Sequence, residues 1–182
     1  MAVMGHKPQR WGPCLLAVLW IIFLKLPGLS AGATPNKLIT GVVVSVTDGD
    51  TIVIQLQGHK EKVRLIGIDA PECRPNPKAE KDSIRTGDDL RTITEMGRRA
   101  TGYVKSIIRP GDHVHIELDL GERDRYGRLL GYIWTANGKM LNEEMVKGGY
   151  ASLMTYPPNV KYRDRFEKAY REAREARRGL WK

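Results

Sequence analysis

The stretch that decides the fold is residues 38–68, LITGVVVSVTDGDTIVIQLQGHKEKVRLIGI. It contains three runs rich in β-branched and other apolar residues, and two turn signals separate these runs. The predicted strands are residues 38–46, 51–56 and 62–68, and the predicted turns are Asp48–Gly49 and residues 57–60. The stretch therefore predicts a meander of three strands joined by short connections.

The remainder of the chain alternates helical and strand-like patterns. The predicted helices are residues 95–108, 141–147 and 162–178, the predicted strands are 113–118 and 129–134, and 73–94 is a long polar surface loop. Five strands with a helix between the third and the fourth is the order of an OB barrel. We therefore predict the α+β class, with a five-stranded OB-fold β-barrel and three α-helices. This fold commonly binds single-stranded nucleic acid, but a fold does not by itself define a function.

The N-terminal segment has the pattern of a secretory signal peptide. After a basic start, Cys14–Leu24 forms an unbroken apolar run, and the small residues Ala31–Ala33 follow it. The run is short for a membrane span, which takes about 20 apolar residues. We predict a signal peptide at 1–33, a single domain at 34–182, and export as a secreted or periplasmic protein. An uncleaved N-terminal membrane anchor is the alternative interpretation.

The charge balance of the chain is basic. Three of the 30 lysines and arginines and none of the 21 acidic residues fall in the predicted signal peptide, so removing it lowers the net charge from +9 to +6. An exported basic domain favours a polyanionic partner such as nucleic acid, an acidic polysaccharide or a membrane surface. Solvated surface lysines alone would give the same charge.

Arg64 stands inside an otherwise apolar run, VRLIGI at 63–68. Strand alternation puts it on the same face as Ile66 and Ile68. A guanidinium in that position needs an anionic partner, or it opens into a cleft that holds an anion. A structural ion pair with a nearby carboxylate and an anion-binding role both remain open at this point.

Acidic residues end two strands of the same meander. Asp48 and Asp50 follow the first predicted strand, and Asp69 and Glu72 follow the third. If the strand ends converge, the carboxylates gather at one point, where they would repel one another without a cation. Hard cations such as Ca²⁺ prefer oxygen ligands of this kind. The alternative is two acidic turns that never meet.

Three motifs occur in order along the chain: DGDT at 48–51, RLIGIDAPE at 64–72 and DRYGR at 124–128. Together they resemble the staphylococcal nuclease (thermonuclease) family, over residues from about 38 to 182. The resemblance implies an OB-fold, calcium-dependent endonuclease that hydrolyses phosphodiester bonds in DNA and RNA. It also implies little sequence specificity and products with 3′-phosphate ends.

The resemblance further implies a calcium site. Asp50 and Asp69 match the carboxylates that ligate the ion, and Ala70 matches the position that contributes a backbone carbonyl. Asp48 matches a residue that lies near the ion and acts through water.

The same resemblance assigns the catalytic and substrate-binding roles. Arg64 and Arg128 match the arginines that bind the scissile phosphate, and Glu72 matches the carboxylate that activates or orients the attacking water. The expected substrate contacts are Tyr126, Tyr156 and Arg125.

The expected partners are DNA and RNA, with single strands or frayed duplex favoured. We expect a monomer with no stable membrane insertion after signal cleavage. The alternative function is a non-catalytic OB-fold protein that binds single strands, which would need a basic groove and aromatic residues but no carboxylate cluster. An exported binder of cell-wall or membrane polyanions is a third interpretation, and it leaves the acidic positions unexplained.

Overall fold

The structure, a computed structural model, describes residues 1–2 and 37–181. The predicted signal peptide at 1–33 lies outside these residues except for its first two, and it stays a prediction. No helix of the described residues is long and apolar enough to cross a bilayer. The elements are β1 (Leu38–Asp48), β2 (Thr51–Leu56), β3 (His59–Leu65), β4 (Gly67–Asp69), α1 (Pro77–Thr86), α2 (Leu90–Ile107), β5 (His113–Glu117), β6 (Leu129–Thr135), α3 (Leu141–Lys147), β7 (Ser152–Met154) and α4 (Arg163–Glu175).

Five strands close into a barrel in the order β1-β2-β3-β6-β5. Neighbouring strands pair antiparallel, except that β3 and β6 pair parallel. Aliphatic side chains fill the interior, among them Ile52, Ile54, Val63, Ile116 and Ile133. Closure leaves the five strands without a free edge, as in other small barrels. The predicted α+β class and five-stranded barrel are confirmed.

The third predicted strand is wrong in its second half. Instead of running unbroken to Ile68, it leaves the barrel after Leu65, and β4 pairs with β7 in a separate two-stranded sheet. Gly67 has φ +81°, and a Cβ added there would lie 2.6 Å from the Phe166 ring. Only glycine combines this backbone conformation with so close a contact. The break carries Asp69 from the barrel wall to the barrel mouth.

Asn142 fixes this break to the barrel. Its side chain is fully buried, and its Nδ2 donates to the carbonyls of Ile66, at 2.9 Å, and Gly131, at 3.3 Å. Its Oδ1 accepts from the amide of Ile133 at 3.0 Å. Buried backbone groups without partners are costly. One amide on α3 therefore binds three backbone groups around the break, in addition to the hydrogen bond that the Ile66 amide donates to the Gly131 carbonyl at 3.1 Å.

The predicted loop at 73–94 contains a helix, so residues 37–181 hold four helices rather than the predicted three. Asn76 caps α1, because its Oδ1 accepts from the amide of Ala79 at 2.8 Å, and Pro77 occupies the first turn. Asparagine at the cap followed by proline is a helix-start signal. The helix was missed because α1 is almost entirely polar and shows no apolar stripe.

The next helix, α2, begins at Leu90, five residues before the predicted start. Asp89 caps it by accepting from the amide of Thr92 at 2.7 Å. Ile93 and Ala100 are buried on its inner side. An early cap therefore adds a turn that places α2 against the segment between β4 and α1.

The two C-terminal helices agree with prediction more closely. The bounds of α3 are those predicted, whereas α4 ends at Glu175, three residues early. Phe166, Ala169 and Ala173 form the buried side of α4, which packs on α3. Its charged side faces solvent, as expected for an amphipathic helix.

Candidate active site

Strand pairing brings the predicted site residues to one mouth of the barrel. Thr51 in β2 pairs with Arg64 in β3, so Asp50 comes directly beside the arginine. β4 delivers Asp69 to the same place from the third strand. The two acidic turns, which could have been remote, therefore meet.

Arg64 joins the two carboxylates. Its Nη1 forms an ion pair with Asp50 Oδ2, and its Nη2 donates to Asp69 Oδ1 at 2.8 Å. The Arg64 side chain is 12% exposed and the Asp50 side chain 5%. Burial lowers the pKa of the guanidinium below its ordinary value, although the charge of Asp69 opposes the shift. Without a substrate, Arg64 thus makes a buried ion-pair network, which requires both partners to be satisfied.

Hydrogen bonds to both carboxylate oxygens fix the orientation of Asp50. Its Oδ2 accepts from the amide of Ala70 at 2.9 Å, and its Oδ1 accepts from the Thr51 hydroxyl at 3.0 Å. Asp48 Oδ1 accepts from the amide of Asp50 at 3.2 Å. The carboxylate is therefore held in one position before any ligand binds.

Gly49 makes this close arrangement sterically possible. A Cβ added there would lie 2.6 Å from the Cβ of Ala70 and 3.0 Å from that of Ala100. Glycine between the two aspartates therefore lets the β1–β2 turn pack against both β4 and α2. This is the physical reason for the Asp-Gly-Asp order.

Lys78 is a site residue that the sequence reasoning missed. Its Nζ donates to the carbonyl of Ala70 at 2.8 Å and lies 3.3 Å from Asp69 Oδ1 and 3.2 Å from Glu72 Oε1. These three oxygens form what we call the oxygen cage. Its position in the first turn of a helix just after Asp-Ala-Pro-Glu could have indicated a site residue. That signal is visible only once α1 is recognised as a helix.

Glu72 is positioned by the helix cap and by α2. Its Oε2 accepts from Asn76 Nδ2 at 2.8 Å, so the residue that caps α1 also orients the carboxylate. A Cβ added at Gly97 would lie 2.1 Å from the backbone oxygen of Glu72. Sequence reasoning did not identify Asn76 or Gly97. The role of each depends on a contact with Glu72 that no local sequence pattern reveals.

Arg128 reaches the site from the loop before β6. Because β3 and β6 are parallel and Val63 pairs with Leu129, Arg128 lies directly before the strand that is next to the one carrying Arg64. The Arg128 charge contributes to the lowered pKa of Arg64, which places the two cations near each other. Asp124 Oδ2 accepts from Arg128 Nε at 2.7 Å, and Asp124 Oδ1 accepts from the Arg128 amide at 3.0 Å.

The expected substrate contacts are at the surface. Tyr126 is 67% exposed and Tyr156 is 71% exposed. Arg125 stacks on the Tyr126 ring, with its Cζ 4.8 Å from the centroid, and its Nη2 donates to the hydroxyl at 2.6 Å. The loop thus presents an aromatic face and two arginines together, whereas no contact joins Tyr156 to the other site residues within the described ranges.

The donor set of the site fits a hard divalent cation. Within residues 37–181, no group of three or more His, Cys, Asp and Glu side chains is arranged to hold a metal ion. The oxygens of Asp50, Asp69 and the Ala70 carbonyl instead surround the side-chain cations of Arg64 and Lys78. An ammonium group held by three oxygens marks a position that favours positive charge, and oxygen is the ligand type that Ca²⁺ takes.

Comparison with known proteins supports the same interpretation of the motifs. A family model described as staphylococcal nuclease homologue matches residues 62–182, which include Arg64, Asp69, Glu72 and Arg128. Thermonuclease from Staphylococcus hyicus is 33% identical over 156 residues, covering 85% of this chain and 83% of that protein. Thermonuclease from Staphylococcus intermedius is 32% identical over 170 residues, covering 91% and 92%. Endonuclease YhcR from Bacillus subtilis (strain 168) is 34% identical over 144 residues, covering 78% of this chain and 11% of that protein.

The packing of α2 on Glu72 generates a test. We predict that Gly97→Ala lowers the free energy of unfolding by about 1–3 kcal/mol, because the new methyl group overlaps the Glu72 backbone. Gly102→Ala is the matched control on the same helix, since a Cβ there meets no atom within 4 Å. It should raise the free energy of unfolding by up to about 1 kcal/mol through helix propensity. Urea denaturation measures the free energy of unfolding of both variants. Equal stabilisation by the two would contradict the close packing of α2 on the Glu72 backbone.

Proposed function

The chain belongs to the staphylococcal nuclease family, and from this premise we propose that it is an exported, calcium-dependent nuclease. It hydrolyses phosphodiester bonds in DNA and RNA with little sequence specificity and leaves 3′-phosphate ends. The observation that carries the proposal is the juxtaposition of Asp50, Asp69 and Glu72 with Arg64 at one barrel mouth, with Arg128 beside it. Thermonuclease and endonuclease relatives support nuclease activity.

Asp50, Asp69 and the carbonyl of Ala70 would hold the calcium ion, with Asp48 close behind them. Bound there, calcium supplies positive charge that offsets the phosphodiester and lowers the pKa of a coordinated water. Asp50 is suited to this role because it is already oriented by Ala70 and Thr51. A carboxylate that is fixed before binding loses little freedom when it takes a ligand.

Arg64 and Arg128 bind the scissile phosphate. A guanidinium donates two parallel hydrogen bonds to phosphate oxygens, and it stabilises the extra negative charge of a five-coordinate phosphorus. Arg128 is already aimed by Asp124, whose carboxylate holds both its backbone and its Nε. Arg64 exchanges carboxylate partners for phosphate as the substrate binds.

Glu72 accepts a proton from the attacking water. Asn76 holds Oε2, which leaves Oε1 on the side of the oxygen cage to receive the proton. The water oxygen forms a bond to phosphorus, the bond from phosphorus to the 5′ oxygen breaks, and the 5′ oxygen leaves as a hydroxyl after gaining a proton from solvent. The phosphate then stays on the 3′ side.

Tyr126, Arg125 and Tyr156 contact the sugar and base portions of the substrate. Aromatic rings stack on any base, so they favour single strands or frayed duplex without selecting a sequence. Contacts to phosphate add affinity but carry no sequence information. These two facts together account for the low sequence specificity that we propose.

Export is supported by the sequence pattern at 1–33, and the protein acts as a monomer in this proposal. A non-catalytic barrel that binds single strands is disfavoured, because it would need no carboxylate cluster and would leave the gathering of Asp50, Asp69 and Glu72 unexplained.

The proposal is tested by digestion of single-stranded DNA, duplex DNA and RNA while calcium is titrated in and then chelated. We expect cleavage of all three that depends on calcium, with phosphatase-sensitive 3′ ends. Binding of single strands without cleavage at any calcium concentration would support the non-catalytic barrel instead.

We predict that Arg128→Lys lowers kcat by at least about 100-fold, because an ammonium group cannot make the paired hydrogen bonds to phosphate. Arg98→Lys is the control, since Arg98 is exposed on α2 and pairs with Glu95 of the same helix. Single-turnover cleavage assays compare the two variants with the wild type. Wild-type turnover by Arg128→Lys would exclude the proposed role.

We predict that Glu72→Gln slows hydrolysis by roughly 100-fold or more while changing calcium affinity little, since the amide cannot accept the proton. Asp69→Asn serves as the contrast, and it should weaken calcium binding directly. Calorimetric titration and cleavage rates are measured on the same preparations. If Glu72→Gln abolishes calcium binding, then Glu72 is a ligand and not the proton acceptor.

A further inference from the structure

Lys78 pairs with two oxygens of the proposed calcium site. Its ammonium group is held by the Ala70 carbonyl, Asp69 Oδ1 and Glu72 Oε1 at 2.8, 3.3 and 3.2 Å. The first two are oxygens of the ligand set proposed for calcium. The Lys78 side chain is 35% exposed, so it reaches the oxygen cage from the solvent side, across the first turn of α1.

Calcium and the ammonium group would compete for these oxygens. Asp69 Oδ1 already pairs with two cations, Arg64 Nη2 and Lys78 Nζ, so a third positive charge there is unfavourable. Calcium binds oxygen at about 2.3–2.6 Å, so an ion on the Ala70 carbonyl and Asp69 would lie close beside the ammonium group. Like charges so close together also repel strongly. We propose that Lys78 is an internal competitor for two of the calcium-site oxygens, and that it lowers calcium affinity because it must release them when the ion binds. This inference rests on the proposed calcium dependence.

The structure also provides a place for the displaced ammonium group. Asp82 lies one helical turn further along α1, with its Oδ2 3.7 Å from Lys78 Nζ. The Asp82 side chain is 16% exposed, and it also accepts from Arg85 at 2.8 Å. A rotation of the Lys78 side chain therefore exchanges the oxygen cage for a carboxylate that is already in reach.

Lys78 also reduces the repulsion between the carboxylates of the oxygen cage. Asp69 and Glu72 share the ammonium group, and Arg64 neutralises Asp69 from the other side. Without Lys78, two carboxylates and a backbone carbonyl would face one another without enough positive charge. Lys78 thus holds the oxygen cage together until calcium replaces it.

The direct test is calorimetric titration of calcium into the full-length domain. We expect Lys78→Met to lower the calcium Kd roughly tenfold, since the ion no longer displaces an ion-paired ammonium group. Lys81→Met is the matched control, because Lys81 is exposed on the same helix and the substitution removes the same charge. It should change Kd by less than about twofold. Equal effects of the two variants would overturn the proposal.

A second variant tests the exchange from the other end. Asp82→Asn removes the alternative partner of Lys78, so it should raise the calcium Kd by about threefold. In the Lys78→Met background the same change should have no effect, because nothing needs to be displaced. An unchanged or lower Kd for Asp82→Asn alone overturns the proposal even if Lys78→Met does not fold. If Asp82→Asn raises the calcium Kd equally in both backgrounds, the effect comes only from long-range charge, and this result would also overturn the proposal.

Different results would contradict the proposed function and the role of Lys78. A wild-type protein that neither binds calcium nor cleaves nucleic acid with it contradicts the proposed function. A wild-type protein that does both, with a Lys78→Met Kd equal to its own, contradicts the Lys78 inference alone.

Discussion

Two buried carboxylates at one barrel mouth need positive charge between them, and the rest of the site is built around that requirement. Arg64 meets it by binding both Asp50 and Asp69. Burying unpaired charges is far more costly than burying paired ones, so the strand ends and the arginine depend on each other. The same geometry leaves a cluster of oxygens that is ready for a cation and, next to it, guanidinium groups that are ready for a phosphate.

The backbone supports this charge arrangement by two departures from regular structure. Gly67 breaks the third strand so that β4 carries Asp69 to the mouth, and Asn142 satisfies the backbone groups at the break. Gly49 and Gly97 let the β1–β2 turn and α2 approach where a side chain would collide. The chemistry therefore depends on small residues that take no part in it.

Helix α1 positions two charged groups of the site. Its cap, Asn76, orients Glu72, and its first turn supplies Lys78 to the oxygen cage. A segment that looks like a surface loop in the sequence thus touches the proposed proton acceptor and the proposed metal ligands at once. In our account this helix links the metal-free and calcium-bound states, since one of its lysines must move between them.

The sequence predicted the five-stranded barrel and the order of its elements along the chain, because alternation and turn signals are local patterns. It left open whether Asp50 and Asp69 meet, and the resemblance to the nuclease family favoured their meeting. It did not predict the break at Gly67, since the reason for the break is the ring of Phe166, about a hundred residues later in the chain. It missed α1 because a polar helix leaves no apolar periodicity, and with α1 it missed Asn76 and Lys78. The roles of Tyr126 and Tyr156 came from resemblance alone, since exposed tyrosines carry no distinguishing pattern.

The measurement that tests the central claim most directly is a crystal structure of the protein grown with calcium, with the ion located by its anomalous signal. The account predicts one ion at about 2.3–2.6 Å from carboxylate oxygens of Asp50 and Asp69 and from the Ala70 carbonyl, with Lys78 turned away. An ion bound elsewhere, with Arg64 and Lys78 still filling the mouth of the barrel, would contradict it.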